Sequence, residues 1–164
     1  MANLPWQAFD PDEILDQMPK WTADREGVQP WASWVSTKVQ TCMERAKKAN
    51  EKQASPKRLP TQEEWLEAVL DALSKSEGIG AYSKFRLSLG HGSAHGLYPS
   101  IEHISTPLDT ELKVEVRVVN DMKSILSVKE FKLLCEHLVQ TLDGKPGTIG
   151  DDWEGPARDF SGRT

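Results

Sequence analysis

Residues 98–134 read YPSIEHISTPLDTELKVEVRVVNDMKSILSVKEFKLL, and the pattern within them sets the expected fold. Pro99 to Ile104 predicts one strand and Leu112 to Val119 a second. In the second, Val114, Val116 and Val118 alternate with Glu115 and Arg117, the period of a strand with one buried and one wet face. Asn120 opens a short helical stretch, NDMKSIL. Ser127 and Glu130 then have capping-box spacing, ahead of a helix through Phe131, Leu134, Cys135, Leu138 and Leu142. Residues 98–138 are thus expected to form a strand–loop–strand–helix unit. It puts Glu102 and His103 at a strand end and Asn120 at a helix start.

Upstream the period is helical. Trp31, Trp34, Val35, Val39, Cys42, Met43 and Ala46 form one apolar stripe in a helix expected from about Pro30 to Asn50. Pro30 suits its first turn. A second helix opens at Thr61, with Glu64 completing a capping box. Trp65, Val69, Leu70 and Leu73 supply its buried face, and Gly78 and Gly80 end it. Tyr82 to Leu89 predicts a further strand, and GHGSAHG, Gly90 to Gly96, a turn. Asp12 to Met18 predicts a short helix bounded by prolines. The expected division is an acidic arm over 1–30, one domain over 31–143 and a loosely ordered tail over 144–164. The fold class is α+β.

Composition narrows the function. The chain has 164 residues, 38% hydrophobic and 27% charged, as expected of a globular protein. No apolar run approaches the roughly 18–20 residues that span a bilayer, and MANLPWQAFDPDEILD lacks the features of a signal peptide. Two cysteines, Cys42 and Cys135, fall in predicted helices and outside any CxxC, so neither a disulfide framework nor a zinc knuckle is expected. The expected location is the cytoplasm, with no membrane partner. The net charge of −5 argues mildly against nucleic acid. Residues 45–58, however, carry Arg45, Lys47, Lys48, Lys52, Lys57 and Arg58 against Glu51 alone. That stretch reads either as a solvated helix end and linker or as a phosphate-steering patch.

No GxSxG, P-loop or GxGxxG occurs. What remains is the Glu102, His103 and Asn120 set. A carboxylate and an amide oxygen suit a hard divalent cation, and an imidazole can take a proton from water near neutral pH. The same three residues also read as a surface charge, a half-buried ring and a helix cap. His91 and His95 sit in a glycine-rich loop, either as ordinary turn residues or as auxiliaries reaching the substrate or metal.

The string resembles the HNH endonucleases, in particular the small phage and bacterial type. The residues that carry the likeness are Pro99-Ser100-Ile101-Glu102-His103, Asn120-Asp121-Met122-Lys123-Ser124 and Ser127-Val128-Lys129-Glu130-Phe131. A weaker likeness extends over roughly 45–140, through Ala46-Lys47-Lys48, Leu59-Pro60-Thr61 and Ala81-Tyr82-Ser83. The resemblance implies a ββα-metal core and a divalent-metal endonuclease cleaving DNA. In it Glu102 and Asn120 would hold Mg²⁺ or Mn²⁺, or else Zn²⁺, and His103 would be general base. Lys47, Lys48, Arg117 and Lys123 would contact the substrate. The chain departs from the family where Asp109-Thr110-Glu111-Leu112-Lys113 lacks the usual central Asn, for which Asp109 or Glu111 would have to substitute. Glu102 also stands for the commoner Asp, and the usual Gly-Tyr-Thr loop sequence is missing. The rival expectation is a binding protein that keeps the scaffold without catalysis, acting on a protein partner as an inhibitor or within a defence or counter-defence system.

Overall fold

The apolar stripe on the first long helix, α1 (Val28–Glu51), is where the core begins. Trp31, Trp34, Val35, Val39, Cys42, Met43 and Ala46 are all buried, as their spacing requires. In the computed structural model of the protein, residues 9–142 are described except 91, 94, 124 and 125. The expected tail, 144–164, lies outside the described residues. The chain divides into two units, Met1–Asn120 and Asp121–Thr164, and this division falls inside the stretch expected as one domain.

In the first unit, α2 (Gln62–Ser76) packs against α1 on one side and, through β2, against a two-stranded antiparallel hairpin, β1 (Pro99–His103) and β2 (Leu112–Val116). Trp65, Val69 and Leu73 of α2 join Leu87, Ile101, Leu112, Val114 and Val116 in one core. Each such side chain contributes about 1.5–3 kcal/mol by leaving water. Trp31 meets Trp21 and Trp34 edge-on at 4.8 and 5.8 Å, and Trp34 Nε1 donates to Pro99 O at 3.2 Å, tying α1 to β1. The capping box of α2 forms as read: Glu64 N donates to Thr61 Oγ1 and Thr61 N to Glu64 Oε2. The helix ends one residue earlier than the glycines suggest, at Glu77, whose φ of 50° begins the left-handed turn that Gly78 continues at 76°.

Four expectations need correction. Residues 11–17 form a 3₁₀ helix (Pro11–Gln17), and with a second short turn (Lys20–Thr22) they are built into the fold rather than forming an arm: Ile14 and Thr22 are buried, and Ser36 Oγ donates to Phe9 O. Tyr82 to Leu89 is not a strand; only the isolated Ile79–Arg86 bridge forms there. Backbone bonds from Gly80 N to Phe85 O and from Leu87 N to Gly78 O hold the turn, and side chains from residues 25 and 26 brace it. Arg25 Nη1 donates to Gly78 O (2.7 Å) and Leu87 O (2.8 Å), and Glu26 Oε1 accepts from Leu89 N and Ser88 Oγ. Strand β2 stops at Val116, and α3 (Arg117–Lys123) begins three residues before Asn120. Finally, Glu115 does not face water: it is 0% exposed.

The second unit contains α4 (Val128–Leu142). Its capping box also forms, with Ser127 N donating to Glu130 Oε2 and Glu130 N to Ser127 Oγ.

Candidate functional site

Hairpin register decides which groups can meet. Glu102 pairs with Lys113 and Ser100 with Glu115, so these four side chains share one face. His103 pairs with Leu112 and Ile101 with Val114, on the opposite face. Adjacent residues of a strand project to opposite sides. Glu102 and His103 are therefore separated by the sheet itself.

On the first face a buried polar network has formed. Glu102 is 6% exposed and accepts a hydrogen bond from the Tyr82 hydroxyl. Burial raises the Tyr82 phenol well above its ordinary range, and the Glu102 and Glu115 carboxylates add to the rise. Asn120 reaches the same face, where its Nδ2 donates to Ser100 Oγ (2.8 Å) and Ile101 O (3.2 Å). Its amide thus pins β1 to α3.

The residue that sequence reasoning missed is Glu115. Its Oε2 accepts from Tyr82 N (2.6 Å) and Ser83 N (3.0 Å), and its Oε1 from Ser83 Oγ (2.5 Å) and Val116 N (2.7 Å). A carboxylate with this many donors is held rigidly and pays little for its burial. Gly80 leaves the room: a Cβ there would collide with Glu115 Oε1 and Ser83 Oγ. The Val-Glu-Val pattern assigns Glu115 to the wet face, and only its partners 32 and 33 residues away reveal otherwise.

On the second face His103 packs edge-on against the fully buried Trp65, ring centroids 5.8 Å apart. Both ring nitrogens are buried and have no hydrogen-bond partner among the described residues. The Asp109 backbone lies near the ring without reaching hydrogen-bond geometry. Burial lowers the proton affinity of His103, the nearby Arg45 lowers it further, and Asp109 and Glu102 only partly oppose them.

The other candidates are dispersed. Asp109 Oδ2 accepts from Thr106 Oγ1 in the hairpin loop, and Glu111 is exposed, its carbonyl accepting from Ile104 N. His95 Nδ1 accepts from Leu97 N, a turn role. His91 lies outside the described residues. Lys47 and Lys48 are exposed on α1, Arg117 Nη1 donates to Ser93 O, and Lys123 is buried at 7% exposure.

A divalent cation would need converging oxygen or nitrogen ligands. Of the implied set, Glu102 and Asn120 share a face, but Tyr82 engages the acid and the amide donates to β1. Among the described residues no three His, Cys, Asp or Glu side chains gather as a metal site. This donor set does not fit a hydrolytic metal centre served by His103. No family model, curated protein or solved structure matches the chain. Among the described residues, no helix is long and apolar enough to cross a membrane.

Proposed function

We propose that the chain is a binding protein whose hairpin-and-helix core resembles that of an HNH nuclease without its hydrolytic chemistry. The observation that carries this reading is the burial of both His103 ring nitrogens beside Trp65. A general base must come within about 2.6–3.2 Å of the proton it removes, directly or through one water. A ring packed in this way serves the core instead. The acid–amide face supports the same reading, since Glu102, Glu115 and Asn120 are engaged in holding strands and turns together. The target is then a macromolecule to be bound, of the kind met by inhibitors and defence components.

A divalent-metal endonuclease is the second reading, favoured by Glu102 and Asn120 lying on one face of the hairpin. Incubation of supercoiled plasmid with Mg²⁺ or Mn²⁺ separates the two. The expected result is no nicking above the protein-free control, and no calorimetric heat from Mg²⁺, Mn²⁺ or Zn²⁺ that Glu102→Ala removes. Metal-dependent nicking lost in His103→Ala would restore the nuclease.

A further inference from the structure

The exposed side of α1 carries a charge pattern that the core does not explain. Lys38 and Arg45 of α1 and Lys52 at its C-cap recur at seven-residue intervals, with Lys48 between the last two. At about 100° per residue these four fall within an arc of about 80°, over about 21 Å of helix axis. Arg45, Lys48 and Lys52 are exposed and Lys38 is half-buried. Beside this stripe, Glu44 and Glu51 repeat at the same interval, both exposed. Lys47 and the remaining bases of the 45–58 stretch lie off it.

The head of the stripe is built and held. Lys38 Nζ stands 5.6 Å from the Trp34 ring and 5.8 Å from the Tyr98 ring, so aromatic faces fix its position. Arg117, anchored on Ser93 O, and Arg45 both lie near it. Burial and these two like charges lower the proton affinity of Lys38, opposed only by Cys42. Further along, Glu44 Oε1 accepts from Gln40 Nε2 at 3.2 Å, turned along its own helix.

We propose that this stripe docks an acidic helical segment of a partner protein, laid along α1 with its carboxylates facing Lys38, Arg45, Lys48 and Lys52. Two observations select a helix over a nucleic-acid backbone. The heptad interval of both signs is the repeat of a neighbouring helix, in which basic residues beside the acidic stripe meet Glu44 and Glu51. A polyphosphate carries the same charge at every unit and would press it against those two carboxylates. The inference extends the binding-protein reading by naming a class of partner, and it concerns α1 rather than the hairpin.

The test measures binding of a synthetic helical peptide with glutamates at positions i, i+7, i+10 and i+14 to the intact protein by fluorescence anisotropy. Its controls are a peptide of equal composition with the glutamates spread round the helix, and a single-stranded 20-nucleotide DNA. The expected result is salt-sensitive binding of the first peptide, at least tenfold tighter than either control. Arg45→Glu with Lys48→Glu, both at exposed positions, should weaken it at least tenfold, whereas Lys47→Glu should change it less than twofold. Circular dichroism verifies that each variant is folded. Equal affinity for the spread peptide, tighter binding of DNA, or an equal loss in Lys47→Glu would overturn the inference. Nicking that depends on His103 would remove the binding-protein reading and leave this result standing, and failure to bind the peptide would do the reverse.

Discussion

His103 is held by packing, its ring edge-on to Trp65 with both nitrogens buried. Its folded pKa lies below the ordinary value of 6.5, burial being the largest cause. A depressed pKa means that the unfolded chain binds the proton more readily. The stabilising contribution is therefore complete above about pH 6.5 and is lost as pH falls below it toward the lower folded pKa. The urea midpoint should drop between pH 7.5 and pH 5, and the drop should shrink in His103→Phe, which keeps an aromatic ring beside Trp65. An identical pH dependence in the variant would show that other groups cause it. Nothing in Ile101-Glu102-His103 reveals this role, because a strand-end histidine reads the same whether it faces water or a tryptophan from α2.

The secondary elements differ in how much of them is local. The helices are legible because their signals lie within a few residues: the Trp31 to Ala46 stripe, the Thr61–Glu64 box and the Ser127–Glu130 box all form. A cap such as Thr61 is worth about 1 kcal/mol. The hairpin is legible in its strands but not in Glu115, whose partners sit in the Tyr82–Ser83 turn. Glu115→Ala should cost about 3–5 kcal/mol, since it strands three backbone donors, that of Val116 buried and those of Tyr82 and Ser83 part-buried, and empties the space beside Gly80. Equilibrium unfolding in urea measures this. A loss below 1 kcal/mol would mean that water replaces the carboxylate. The same network explains why 82–89 fails as a strand. Its alternation is adequate, yet Lys84 adopts φ 60° and the turn is captured by a distant acid.

For the whole molecule, the α+β class followed from the change of period along the sequence, whereas the role of residues 9–27 did not. Prolines and acids make that segment look peripheral, but Arg25 and Glu26 brace the loop that leads toward the hairpin. Arg25 is also held against the Trp21 ring at 4.8 Å. Arg25→Ala should leave α1 and α2 folded and speed amide exchange at Leu87 and Leu89 at least tenfold, as read by hydrogen–deuterium exchange. Unchanged exchange at both amides would show that the local Leu87 N to Gly78 O bond suffices.

That brace also sets a temporal order. Its bonds join residues 53, 62 and 63 positions apart, so their chain-closure entropy must be met before any of them forms. During synthesis the segment containing Arg25 and Glu26 emerges long before its carbonyl and amide partners exist. Until then, Arg25 and Glu26 have only their near neighbours, the Trp21 ring and the Trp31 indole N–H, and the connection between α2 and the hairpin stays unbraced until residues 78–89 have followed.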